Sequence, residues 1–295
     1  MYSSFRENIM LKIDIQKKWE QLSKHNKEFN FRDFANLDQS SDANYLVQSM
    51  YDLYALPEIQ RIKQHAIEAL KLKEGDAALE VGCGLGHDVE IMSPLVGNTG
   101  SVIGIDKSNL MLAEASRRSQ QRNIQFQQGD ATNLEFNDNT FSVGYADRLL
   151  VSQKQPDKVI SELIRVVKPN GIICITDIDV GSIVLYPYHA KLTHILKMRW
   201  EEIVANPYIG RELQYKFKQK GLINIKVIPD SYIVKSLDTV NKMIDYPRMI
   251  YDLYKMGRYT KDEALIMLEE LYAAEQEGMF LYGIIFFTVS GIKPT

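Results

Sequence analysis

Cysteine is scarce: Cys83 and Cys174 are the only two in 295 residues. Two are too few for a disulfide scaffold, and neither has metal-ligand spacing, so the composition suits two reduced thiols in a cytoplasmic protein. No block of Lys or Arg occurs, and 35 basic against 38 acidic residues leave a net charge of −3. That balance speaks against a face made for nucleic acid. No apolar run is long enough for a bilayer; the longest, Met279 to Val289, reads as a buried strand. Met1 to Met10 holds Arg6 and Glu7 and no apolar centre, which argues against a signal peptide. Internal repeats and low-complexity tracts are absent as well.

What the chain does have is an ordinary globular balance, 45 % hydrophobic and 25 % charged, enough to bury a real core. Its length fits one large α/β domain with additions, or two small domains. Ile15, Trp19 and Leu22 fall at helical spacing, as do Tyr45, Leu46, Met50, Leu53 and Tyr54. The polar stretch Asn26 to Ser41 between them reads as a loop. Glu58 to Lys71 is an expected helix with Ile59, Ile62, Ala66, Ile67 and Leu70 on one face. Strands and helices then alternate. Strands are expected at Ala77–Val81, Ser101–Ile105, Asn123–Gln128, Phe141–Ala146 and Gly171–Asp177. Helices are expected at Gly86–Leu95, at Ser108–Ser119 with Ser108 as N-cap, and at Asp157–Lys168. Apolar strands in such an alternation mean a parallel sheet covered on both faces. Past Asp179 the rhythm loosens: Tyr188 to Lys220 is mostly helical, and Leu222–Val234 is a strand. Residues 236–278 form a helical insertion with a capping-box pattern at Thr260, and Phe280–Val289 is the last strand.

Two features carry chemistry. Ala78-Leu79-Glu80-Val81-Gly82-Cys83-Gly84-Leu85-Gly86 is a strand running into a glycine-rich turn ahead of a helix. Glycines let backbone approach a ligand, and the helix N-terminus offers free N–H groups. A tight turn made only for packing is the plainer alternative. The second feature, Ile103-Gly104-Ile105-Asp106, ends the next strand with a carboxylate about 20 residues past Gly86, where it can accept hydrogen bonds from both ribose hydroxyls. Together they indicate a nucleoside cofactor. The dehydrogenase fingerprint has two residues between its second and third glycines, whereas only Leu85 separates Gly84 from Gly86, which favours S-adenosylmethionine (AdoMet) over a nicotinamide. Gln128-Gly129-Asp130-Ala131 then offers a carboxylate and a backbone N–H to an adenine edge.

From about Leu72 to Asp179 the chain resembles class I AdoMet-dependent methyltransferases, the broad group that includes ubiquinone/menaquinone and other small-molecule methyltransferases. The resemblance rests on Glu80–Gly86, on Asp106-Lys107-Ser108-Asn109-Leu110-Met111 with Ala113, on Gly129-Asp130-Ala131, on Phe141 to Asp147, and on Arg165-Val166-Val167-Lys168-Pro169-Asn170-Gly171. It implies an α/β, Rossmann-like fold: a seven-stranded, mostly parallel sheet with helices on both faces and helical lid additions. The core would comprise residues 56–235 and 279–295, with 1–55 as an N-terminal lid and 236–278 as a substrate-side insertion. Glu80 and the backbone of Gly82, Cys83 and Gly84 would hold the amino-acid end of AdoMet. Asp106 would hold the ribose with Lys107 beside it, and Asp130 and Ala131 would meet the adenine. Asp147 would lie near the methionine ammonium and the transferred methyl. Many relatives have Gly in place of Asn170 and a His after strand four, where this chain offers Gln153.

The implied activity is methyl transfer from AdoMet to a small, partly apolar molecule, leaving S-adenosylhomocysteine (AdoHcy). An NAD(P)-dependent oxidoreductase and a non-catalytic AdoMet-binding protein are the alternatives. No metal, nucleic acid or membrane span enters the expectation, and a homo-oligomer stays open. Candidates facing the acceptor are Arg148, which can equally serve a structural ion pair, and His189, with Tyr186 and Tyr188. The insertion's Met243, Tyr246, Met249, Tyr251, Tyr254 and Met256 suit either an apolar pocket or plain helix packing. Asn206-Pro207-Tyr208 resembles a nucleobase-amine methylation motif, but it follows strand five instead of strand four and reads as a chance match.

Overall fold

A computed structural model describes residues 14–24, 37–40, 43–242 and 244–295. Met1 to Met10, most of the loop expected over Asn26–Ser41, and Met243 lie outside these residues. The chain divides into two compact units. One comprises Met1–Phe31, Val180–Ile203 and Tyr232–Ile284, the other Arg32–Asp179, Val204–Ser231 and Ile285–Thr295.

The second unit carries the alternating region. Its strands are β1 (Ala77–Val81), β2 (Ser101–Asp106), β3 (Ile124–Gln128) and β4 (Phe141–Asp147), with β5 (Val167–Tyr186), β6 (Ile223–Val234) and β7 (Leu281–Ile292) completing one sheet. The order is β3-β2-β1-β4-β5-β7-β6. β1 pairs in parallel with β2 and β4, β2 with β3, and β4 with β5. The expected seven-stranded, mostly parallel α/β sheet is therefore what forms. Chain order reverses between β1 and β4, and such a switch point opens a crevice at the carboxyl ends of the strands. Glu80, Asp106 and Asp147 all sit at those ends.

The strands form because their runs are apolar on both faces, and Leu79, Val81, Tyr145, Ile173 and Ile175 are fully buried. On one side they pack with α3 (Pro57–Leu70) and α4 (His87–Val96) into a cluster containing Ala66, Leu70, Val89 and Met92. Pro57 starts α3, where its missing N–H costs nothing. α5 (Asn109–Arg118) follows β2, and Ser108 accepts from the Met111 N–H as its N-cap. Preceding α3 are the turn at residues 37–39 and α2 (Ala43–Tyr54).

Two expectations are corrected. α6 (Pro156–Val166) stops before Lys168, because the residue ahead of Pro169 is forced out of helical geometry and Val167 already opens β5. β5 also runs on past Asp177 to Tyr186, with Ile183 and Leu185 buried and Val184 and Tyr186 exposed, an alternation of period two. Asn170 adopts φ 64°, a left-handed turn that Asn tolerates.

In the first unit a helix at residues 14–24 (α1) joins α7 (Ala190–Ile203), α9 (Leu237–Asn241), α10 (Tyr246–Lys255) and α11 (Lys261–Gln276); α8 (Ile209–Gln219) belongs to the second unit. The expected capping box is present, with Thr260 and Glu263 satisfying each other's backbone N–H. Trp19 of α1 meets Tyr251 edge-on at 4.9 Å. Tyr246, Met249 and Tyr251 are buried, and Tyr254 and Met256 half-buried.

Candidate active site

The turn after β1 is pinned from β2: the Gly82 and Cys83 N–H groups donate to the Ile105 carbonyl at 2.7 and 3.0 Å. Gly86 has φ 73°, and a Cβ there would lie 2.6 Å from Phe126 Cζ, so both the backbone angle and the space demand glycine. The Gly84 N–H donates to Asp106 Oδ2 at 2.8 Å, and the Ser108 N–H to Oδ1 at 2.8 Å. Asp106 thus fastens the glycine turn to the start of α5, with lone pairs remaining on both oxygens. Lys107 beside it is exposed. Farther along, Asp130 is exposed and accepts from the Thr132 backbone and hydroxyl, each at 2.8 Å, while Ala131 is buried. Those bonds hold the Asp130 carboxyl below its ordinary range.

Behind the turn lies a buried charge cluster. Lys63 Nζ donates to Asp88 Oδ2 at 2.5 Å and to Asp147 Oδ2 at 2.8 Å. Arg148, at φ 50°, forks onto Asp147 through Nε at 3.1 Å and Nη2 at 2.7 Å. Burial opposes the charge on Asp147, but Arg148 and Lys63 outweigh it and hold the carboxyl well below the usual range. Lys63 is likewise raised by Asp147 and Asp88 against its own burial. Glu80 has no such partner: burial pushes its carboxyl well up, and nearby Asp88 adds to this. Among the described residues Glu80 Oε2 and Asp88 Oδ1 have no hydrogen-bond partner. Three carboxylates therefore meet two cations, and the cluster is short of positive charge and of donors.

Sequence reasoning missed Lys63 and Asp88. Lys63 does carry a signal: it interrupts the stripe Ile59, Ile62, Ala66, Ile67, Leu70 at a position on the buried face. A lysine buried there requires a partner.

The other acceptor-side candidates belong to the first unit. His189 is exposed in the first unit and serves the start of α7, its N–H donating to Thr193 Oγ1 at 2.9 Å. Tyr186 and Tyr188 are exposed in the same unit. Asn206 braces the turn after β4, donating through Nδ2 to the Leu150 and Gln153 carbonyls at 2.7 and 2.5 Å, which gives this residue of the amine-like motif a structural role. A groove of about 640 Å³ lined by His65, Glu68, Lys71, Lys226 and Ser290, among others, shares no residue with the charge cluster.

The same turn is held by Asp177, fully buried, which accepts from the Val151 N–H at 3.1 Å and the Ile178 N–H at 2.9 Å. Burial pushes its carboxyl up to about 7, against those backbone bonds. A carboxyl raised in the folded state stabilises fully below its unfolded value of about 4 and loses that contribution as pH climbs through 7. The stability difference between the parent and Asp177→Asn, from urea midpoints, should therefore shift against the parent between pH 4 and 7. Parallel pH curves would contradict this.

A doubly wound sheet with a glycine turn and strand-end carboxylates at its switch point defines a nucleoside-cofactor enzyme fold. Residues 72–221 match the family described as a methyltransferase domain, and the chain belongs to that family and to the class I AdoMet-dependent methyltransferases. The demethylmenaquinone methyltransferase of Staphylococcus saprophyticus is 35 % identical over 220 residues, covering 65 % of this chain and 91 % of that protein. An uncharacterised 37.1 kDa protein of a Streptomyces fradiae transposon is 27 % identical over 188 residues, which span 63 % of this chain and only 54 % of that protein. The Bacillus subtilis YcgJ protein superposes with a TM-score of 0.60 at 19 % identity, covering 80 % of this chain and 99 % of its own, a likeness of fold.

Proposed function

We propose that the chain transfers the methyl group of AdoMet to a small, partly apolar acceptor. The observation that carries this is the Asp106 carboxylate, fixed by the Gly84 and Ser108 N–H groups with lone pairs left for two ribose hydroxyls. The residues present suit the cofactor. The bare Gly84 gives backbone access, since a Cβ there would stand 3.0 Å from Met50 Cε. The unpartnered Glu80 Oε2 suits the cofactor's ammonium, which brings both positive charge and donors. In this reading Asp106 holds the ribose with Lys107 at its rim, Asp130 and Ala131 meet the adenine, and the Gly82–Gly84 backbone borders the amino-acid tail. Asp147, already committed to Lys63 and Arg148, acts by orienting that pair instead of gripping the ammonium itself.

The bound cofactor supplies an activated sulfonium methyl. The chain's own work is to align the acceptor and exclude water, which an in-line transfer chiefly requires. The identity to a demethylmenaquinone methyltransferase supports an acceptor with apolar character. The test is single-turnover transfer of labelled methyl from AdoMet to a panel of quinols, phenols, amines and polar metabolites. Label on an apolar ring acceptor is expected; label only on protein, nucleic acid or strongly polar compounds would overturn the assignment.

A further inference from the structure

The groove of about 640 Å³ lies between α3 and the sheet, beside the edge strand β6, and its lining belongs wholly to the second unit. Its size falls within the range of small-molecule sites, roughly 300–1,000 Å³. The floor is aliphatic. Ile172 of β5, Ile225 and Ile228 of β6 and Ile292 of β7 line it, and each is half-buried. Left open, that floor is apolar surface facing water.

Two polar features stand against the floor. Ser290 of β7 lines the groove and is only 8 % exposed, yet its hydroxyl has no hydrogen-bond partner among the described residues. Two residues earlier on the same strand face, Thr288 pairs its hydroxyl with that of Thr176 at 2.9 Å. Ser290 thus keeps both a donor and an acceptor for an occupant. The charges are sorted as well. Asp230 is satisfied by Arg61 and His65, each at 2.9 Å, and Glu68 accepts from Gln64 at 2.9 Å. Lys71 and Lys226, which also line the groove, have no ion-pair partner among the described residues. Lys71, Lys226 and Arg61 outnumber Glu68 and Asp230, so positive charge is in excess. Lys71 is moreover the C-cap of α3 at φ 51°, a left-handed place where glycine is the usual residue and a lysine is strained.

We propose that this groove is a second ligand site, for a small amphipathic carboxylate. Its hydrocarbon body lies on the isoleucine floor, its head group meets Lys71 and Lys226, and Ser290 anchors it by a hydrogen bond. An amine would meet two ammonium groups of its own sign, and a neutral alcohol would leave both unpaired. The groove shares no residue with the charge cluster or the glycine turn, so the proposal stands independently of the methyl-transfer reading.

Calorimetry of the intact chain with octanoate tests this, beside octan-1-ol, octylamine and acetate. Octanoate should bind saturably at one site, the alcohol and the amine roughly tenfold or more weakly, and acetate without saturation. Exchanging both exposed lysines, Lys71→Gln with Lys226→Gln, should weaken octanoate roughly tenfold and leave the urea midpoint nearly unchanged. Ser290→Ala should weaken it about threefold. Equal affinity for octan-1-ol would overturn the proposal. So would octanoate affinity unaltered in the double variant, which would place the ligand elsewhere on the chain. A concentration-dependent dimer in sedimentation, dissociated by Lys226→Glu, would also overturn it, because a second copy would then cover the groove.

Discussion

Asp106→Ala is expected to weaken AdoHcy binding by roughly 100-fold or more. Two hydrogen bonds from ribose hydroxyls to a carboxylate are worth about 1.5–3 kcal/mol each, and losing both exceeds the 2.8 kcal/mol or so that 100-fold represents. The variant also frees the Gly84 and Ser108 N–H groups, so the turn that borders the cofactor loses its tie to α5. Asp106→Asn separates the two effects: it can still accept from one backbone N–H and should fall between parent and Ala. Isothermal titration at constant pH reads both. An Asp106→Ala protein with parental affinity would mean that the ribose sits elsewhere.

Lys63→Met should be strongly destabilising. Its ammonium is the partner of two carboxylates, Asp88 and Asp147, whose side chains are only 2 % and 6 % exposed. Removing one member of a buried ionic group leaves uncompensated charge and typically costs about 3–5 kcal/mol. Asp147 keeps Arg148, so the damage should fall mainly on Asp88. Adding Asp88→Asn to Lys63→Met should therefore restore part of the loss, and the double variant should be more stable than the sum of the two singles. Urea denaturation of all four proteins measures this directly. Strict additivity would show that the cluster is not coupled as its geometry requires.

The strand ends around the glycine turn were legible in the sequence because each depends on local pattern. β1 to β4 are short apolar runs bounded by turns, and the glycine turn and Asp106 are read from spacing alone. The charge cluster was not legible, because its bonds join residues far apart in the chain: 25 positions separate Lys63 from Asp88, and 84 separate it from Asp147. No periodicity reports a pairing of that kind. The one local trace was a lysine on the buried stripe of α3. Asp147 shows the opposite case. Its position at the end of β4 was readable, but its saturation by Lys63 and Arg148 was not. Asn206 follows the same rule, since a brace between the turn after β4 and the segment before α8 appears only when the chain is folded.

Whether a sulfonium nucleoside belongs at the glycine turn can be decided by titrating the intact chain with AdoHcy and, in a parallel run, with NADH. Saturable one-to-one heat from AdoHcy and none from NADH is the predicted result. Saturable NADH heat beside a flat AdoHcy trace would contradict it.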